Sequence, residues 1–118
     1  MEAITSNFPH GEGRTCVITR RACFSASHLY SLPELSDDDN SALFGPCSIA
    51  PGHGHNYELI VTMEGDLNKY GMVLNLSDVK HAIRNEVTSQ LDFRFLNDTW
   101  PEFDLSKPDG CLPTTESL

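Results

Sequence analysis

Positive charge is scarce in this chain: eight Lys and Arg stand against seventeen Asp and Glu, for a formal net charge of −9. That deficit excludes a nucleic-acid backbone as partner, because binding phosphates requires a surplus of cations. A phosphorylated ligand would have to be met by locally grouped cations or by a metal. Long apolar runs are missing too. No stretch approaches the roughly 18 residues of a membrane span, and the opening MEAITSNFPHGEGRT lacks the apolar centre of a secretory signal. No membrane partner is therefore expected, and the cytosol is the simplest address. The cysteines Cys16, Cys23, Cys47 and Cys111 show no CxxC spacing. Without a secretory signal they are expected as free thiols. Cys16 and Cys23 fall in an apolar run where small buried thiols are common, whereas Cys47 does not. Internal repeats and low-complexity segments are absent.

What is present suffices for one folded domain. The chain has 118 residues with 39% hydrophobic and 21% charged content, within the range of a soluble globular domain and too apolar for a disordered chain. Residues 1–118 are expected to form a single, incomplete domain, with residues 1–14 a disordered or flexible N-terminal segment.

Residues 15–28, TCVITRRACFSASH, are rich in β-branched and aromatic side chains and read as a strand, with a possible irregularity at Arg20-Arg21. Alternation puts Ala22, Phe24, Ala26 and His28 on one face, and Cys23, Ser25 and Ser27 on the other. Residues 53–64, HGHNYELIVTME, alternate more cleanly. His53, His55, Tyr57, Leu59, Val61 and Met63 share the dry face of a half-buried strand, and only Ile60 interrupts the polar row. The long connection between the strands is expected to hold a short helix capped by Ser36 and ended by Gly45. Its Asp37-Asp38-Asp39 run suits a helix N-terminus better than a metal site. A helix is predicted over residues 76–91, capped by Asn75, with Leu76, Val79, Ile83, Val87 and Leu91 on one stripe. His81 lies off that stripe and is read as a surface residue. Residues 97–113 read as loop, with a turn at Lys107-Pro108-Asp109-Gly110. PTTESL reads as a helix opening capped by Thr114 or Thr115.

In GPCSIAPGHGHNY, residues 45–57, the H-x-H pair projects two imidazoles to one side of a strand, about 6–7 Å apart along the backbone. They are then placed to share a cation. His28 closes the dry row of the preceding strand, and antiparallel pairing would bring it level with them. Three neutral nitrogens leave a tetrahedral Zn²⁺ with one open position, as catalytic zinc sites do. Two histidines on an apolar face can equally be hydrogen-bonded core residues. Cys47 could be a fourth ligand, a general base or an inert thiol, and spacing does not separate these.

The segments FSASHLY, LFGPC…PGHGHNY, GMVLNLSDVK, QLDF…LND and PTTES, in this order and spacing, resemble the 6-pyruvoyltetrahydropterin synthase family over residues 16–118. The resemblance implies an α+β T-fold: a four-stranded antiparallel sheet with two helices on one face, order ββααββ, assembled into a homohexamer. It implies zinc on His28, His53 and His55, with Cys47 as general base and Asp92 in the cysteine's catalytic triad. It further implies Thr114, Thr115 and Glu116 in the pterin pocket, and 7,8-dihydroneopterin triphosphate as substrate, converted to 6-pyruvoyltetrahydropterin with loss of triphosphate. The related 6-carboxytetrahydropterin synthases usually have three residues between the cysteine and HGH, where this chain has the longer SIAPG. That spacing favours the pyruvoyl type.

Two departures from the family pattern stand out. Family enzymes usually read Leu-Asp-His where this chain reads Leu91-Asp92-Phe93, and a phenyl ring cannot relay a proton. A non-catalytic zinc- or pterin-binding protein is therefore an alternative. The resemblance also breaks off near the start of the second helix, so the domain is expected to be truncated there.

Overall fold

The computed structural model describes residues 2–6 and 15–118, and the chain divides into two compact units, residues 1–23 with 58–89 and residues 24–57 with 90–118. Its strands are β1 (Glu2–Ser6), β2 (Thr15–His28), β3 (His53–Asp66) and β4 (Arg94–Phe95); its α-helices are α1 (Asp37–Phe44), α2 (Leu76–Ile83) and α3 (Ser89–Leu91). The sheet order is β1-β2-β3, with β4 also on β2.

In the first unit, β1 pairs antiparallel with Cys16–Arg20 of β2, and residues 7–14 of the segment expected to be flexible lie outside the described residues. Hydroxyl and carboxylate contacts of Thr15 with Asp66 and of Thr19 with Thr62, both at 3.2 Å, show β2 and β3 running antiparallel. Buried positions of β2 stay in phase from Cys16 and Ile18 to Phe24, Ala26 and His28, so no irregularity occurs at Arg20-Arg21. Parity also corrects the reading of the cysteines: Cys16 is buried on the even-numbered face, while Cys23 is exposed. All four thiols are free.

The expected helix over 76–91 forms, but not as one regular α-helix. The Asn75 side chain caps α2 by accepting from the Ser77 N–H at 2.9 Å. Val79 and Ile83 of the predicted stripe are buried. A π turn over Arg84–Thr88 then separates α2 from α3. His81 is exposed, as read from its place off the stripe.

In the second unit, Ser36 caps α1 by accepting from the Asp39 N–H at 3.1 Å, as expected. The residue this helix buries is not the apolar Leu43-Phe44 pair but Asn40, 3% exposed, while Leu43 is 61% exposed. The Asn40 side chain accepts from the Leu32 N–H and donates to carbonyls of Leu32, Leu35 and Ser36, at 2.8–3.3 Å. It thereby satisfies backbone groups of the turn after β2, which would otherwise be buried without partners.

The sheet is mixed rather than wholly antiparallel, because β4 lies parallel to Ala26–Ser27 of β2. Two residues make a weak ladder, and side chains extend it at both ends. The Asp92 carboxylate accepts from the Ser25 N–H at 2.9 Å. The Asn97 amide bonds both the N–H and the carbonyl of Leu29, at 3.0 and 2.8 Å. Residues 92–97 are thus fastened along the final residues of β2. The Lys107–Gly110 turn closes as predicted, with the Gly110 N–H donating to the Lys107 carbonyl at 3.0 Å.

Candidate metal centre

The register of β2 and β3 assembles the site. Ser25 faces Asn56 through a 2.6 Å hydrogen bond, and residue pairs with the same sum are directly opposite in an antiparallel ladder. Phe24 therefore faces Tyr57, and their rings stack with centroids 4.8 Å apart. By the same count His28 faces His53, with His55 diagonal to it. The chain reaches His53 through Gly52, whose φ of +104° is one that side chains rarely adopt, and a Cβ there would collide with the His28 carbonyl oxygen. Only glycine lets the loop enter β3 this close to His28.

The three imidazoles converge through their Nε2 atoms: His28 lies 3.1 Å from His53 and 3.1 Å from His55. His28 Nδ1 is 2.9 Å from the Pro113 carbonyl. A carbonyl can only accept, so Nδ1 carries the proton, and the neutral ring keeps a lone pair at Nε2. The pKa of His28 lies below its ordinary value of 6.5, chiefly because burial disfavours the charged ring, against the opposing bond to Pro113. The ring is thus held neutral and aimed.

This donor set fits a metal. Zinc–nitrogen bonds of about 2.0–2.1 Å place tetrahedral ligands about 3.3 Å apart, and the observed 3.1 Å spacings need only small adjustment. A ligand ring fixed by a hydrogen bond from its other nitrogen is the usual arrangement around metals. The three rings are graded in exposure: His28 is buried, His53 half-buried and His55 exposed. Both strand histidines were read as lying on a dry face. His55 is on that face but open to solvent, which leaves a side from which a ligand could approach.

Cys47 lies in a 3₁₀ turn, Gly45–Ser48, and its carbonyl accepts from the Tyr30 N–H at 2.9 Å. Two residues after His28, Tyr30 packs its ring 4.5 Å from that imidazole. Burial raises the pKa of Tyr30, with further contributions from Cys47 and Glu116. Tyr30 was not singled out from sequence; its place two residues beyond His28, in FSASHLY, was the available signal.

The PTTE segment reaches the same site. Pro113 is fully buried and its carbonyl orients His28. Thr114 caps the final 3₁₀ turn in a reciprocal arrangement with Ser117. Thr115 and Glu116 are exposed. Asp92 is placed differently: its carboxylate is committed to Ser25, and among the described residues it makes no hydrogen bond to Cys47. Phe93, where the family histidine would stand, has a φ of +57° and is 87% exposed. Its N–H donates to the Ser25 carbonyl at 2.6 Å, so residues 92 and 93 together clasp Ser25.

Comparison with known proteins gives a consistent picture. The family profile described as 6-pyruvoyl tetrahydropterin synthase matches residues 17–118. The 6-pyruvoyl tetrahydrobiopterin synthase of Homo sapiens is 42% identical over 96 residues, 79% of this chain and 66% of that protein. Its Drosophila melanogaster counterpart is 40% identical over 102 residues, 86% of this chain and 58% of that protein. The chain thus spans less than two thirds of the length of these relatives. The 6-carboxy-5,6,7,8-tetrahydropterin synthase of Haemophilus influenzae is 38% identical over a shorter 50 residues, 39% of this chain and 36% of that protein. The solved structure of Caenorhabditis elegans 6-pyruvoyl tetrahydropterin synthase superposes with a TM-score of 0.73 at 31% identity, covering 87% of this chain and 70% of that one. The fold is the α+β T-fold.

Proposed function

The chain belongs to the 6-pyruvoyl tetrahydropterin synthase family, and from that premise we propose that it is a zinc-dependent lyase converting 7,8-dihydroneopterin triphosphate to 6-pyruvoyltetrahydropterin. The observation that carries this reading is the convergence of three Nε2 atoms on one point, with the buried member held by Pro113. His28, His53 and His55 would hold the ion. Zinc bound there supplies Lewis acidity toward the side-chain oxygens of the substrate, making neighbouring C–H bonds more acidic.

The remaining work falls to the chain's own groups. Cys47 is the proposed general base: its thiolate takes a proton from a substrate side-chain carbon, and the thiol returns one as triphosphate leaves. Tyr30, whose N–H donates to the Cys47 carbonyl and whose ring packs against His28, would limit water at the site. Thr114, Thr115 and Glu116 are the proposed pterin contacts, and their tie to the site is the Pro113–His28 bond. Asp92 is assigned by the same resemblance to the proton-transfer group, while Phe93 contributes no proton. The reading includes a homohexamer in the cytosol. Among the described residues β3 ends the sheet order and no helix is long and apolar enough to cross a membrane.

Phe93 supports a second reading, a zinc- or pterin-binding protein without turnover. One experiment separates the possibilities: zinc content by elemental analysis, together with mass-spectrometric identification of products from dihydroneopterin triphosphate. Stoichiometric zinc with 6-pyruvoyltetrahydropterin is expected. A product that is only 6-carboxytetrahydropterin would assign the carboxy-forming activity. Zinc without turnover, unchanged by Phe93→His, would favour the binding protein. His53→Ala should lose most of the zinc, since two imidazoles make a weak site, and unchanged stoichiometry would refute the metal assignment. Cys47→Ala should keep zinc and lose activity.

A further inference from the structure

We propose that Ser117 is a positioning residue of the metal centre: its hydroxyl fixes the Pro113–Thr114 peptide, whose carbonyl holds His28 in the tautomer that presents Nε2. The inference builds on the reading of His28 as a metal ligand. Around Pro113 the chain makes a tight turn, in which the Thr114 N–H donates to the Leu112 carbonyl at 2.8 Å. The Ser117 hydroxyl meets both groups of that turn. It donates to the Leu112 carbonyl at 2.6 Å and accepts from the Thr114 N–H at 2.9 Å. The Thr114 hydroxyl and carbonyl lie 3.0 and 3.1 Å from the same oxygen, so one side chain closes the turn.

The consequence for His28 follows from backbone geometry. The Pro113 carbonyl and the Thr114 N–H belong to one planar peptide, so fixing the N–H fixes the direction of the carbonyl. The proline ring holds φ at about −65°, and only the Pro113 ψ is left to swing that plane. Ser117 removes this freedom. At the other end of the plane the Pro113 carbonyl lies 2.9 Å from His28 Nδ1, across 85 positions of sequence. Pro113 and His28 are buried, whereas Thr115 and Glu116, which the tie spans, are exposed. Packing therefore does little to hold the turn, and the hydroxyl does most of it. A hydrogen-bond partner on the outer nitrogen of a metal-bound histidine sets its tautomer and ring orientation and raises the basicity of the ligating nitrogen. The same turn carries Thr114, Thr115 and Glu116, so Ser117 also sets the proposed pterin contacts relative to His28.

The test uses the full chain, free of metal and carrying isotopically labelled histidine, because the nitrogen shifts of an imidazole report its tautomer in NMR. His28 is expected as the Nδ1–H tautomer with a slowly exchanging proton. Ser117→Ala should mix the tautomers, speed exchange of that proton and weaken zinc binding by about three- to tenfold in chelator competition. Ser117→Thr keeps the hydroxyl and should restore both properties. Ser106→Ala removes a hydroxyl bonded to Asp104 at 2.6 Å in the same unit and should change neither. A single tautomer with unchanged proton exchange in Ser117→Ala would overturn the proposal. So would an equal change in Ser106→Ala, or a Ser117→Thr variant no better than Ser117→Ala. Mixed tautomers in Ser117→Ala, from a parent chain that binds no zinc, would uphold the Ser117 tie and refute the metal reading instead.

Discussion

Replacing Gly52 by alanine tests the geometry that brings His28 to His53. At φ +104° an alanine is strained by about 1–3 kcal/mol, and its Cβ would strike the His28 carbonyl, a backbone atom of a central strand that cannot step aside. Crowding of that kind costs typically a further 1–3 kcal/mol. Reduced freedom of the unfolded chain returns about 0.4–1 kcal/mol. The net expectation is a loss of about 2–4 kcal/mol, or roughly 8–16 °C in melting temperature for a domain of this size. Gly71 is the control. Its φ is also positive, +79°, but among the described residues nothing lies within 4 Å of a Cβ there, so Gly71→Ala carries the backbone strain without the collision and should cost about 1–2 kcal/mol. Melting curves by circular dichroism and zinc affinity by chelator competition provide the readouts. Gly52→Ala should lower both and Gly71→Ala should spare the zinc affinity. Equal melting temperatures for the two variants would refute the close approach of the loop to β2.

Other substitutions separate structural from chemical roles. Tyr57→Phe should raise the melting temperature by a few degrees, because the Tyr57 hydroxyl is buried without a partner among the described residues and such a group costs about 1–3 kcal/mol; the Phe24 stack is kept, and a lower melting temperature would contradict this. Asn97→Ala should cost about 1–3 kcal/mol through the two bonds to Leu29 and speed exchange of the Leu29 amide; unchanged exchange would show that the clasp is not used. Asp92→Asn keeps an oxygen acceptor for Ser25, so it should hold the melting temperature that Asp92→Ala loses, and equal destabilisation by both would indicate that the negative charge itself is needed. The Asp104 carboxyl lies below its ordinary pKa of 3.8, first through the Ser106 hydroxyl and then the Ser106 N–H. Its contribution to stability is present above that ordinary value and fades as the pH falls through the lowered one. Ser106→Ala should move the Asp104 titration upward by NMR, and an unmoved titration would remove the hydroxyl as cause.

Much of the site was legible because strand alternation is a local rule. The parity of His53 and His55, and the place of His28 at the end of its row, follow from residue order alone. Caps at Ser36 and Asn75 were equally readable, since a side chain two or three residues from the backbone group it serves needs no tertiary information. Residues that act over long separations were not. Pro113 orients His28 from far along the chain, and Asn40 and Asn97 look like ordinary surface amides in sequence. The apolar composition of its run misplaced Cys23, which alternation puts on the outer face, and parity overstated the burial of His55, because a face is dry only where another element covers it.

Asp92 shows the same division. Its position beside Phe93 was visible in Leu91-Asp92-Phe93, but the bond to Ser25 depends on the chain returning alongside β2. By itself the sequence determined the family resemblance, the three metal-ligating candidates and the phenylalanine where the family pattern usually has histidine, because each is carried by residue type and short spacing. Tertiary structure alone decided which nitrogens meet and that His28 presents a lone pair. Those outcomes depend on strand register and loop packing, which bring together groups that chain order keeps apart.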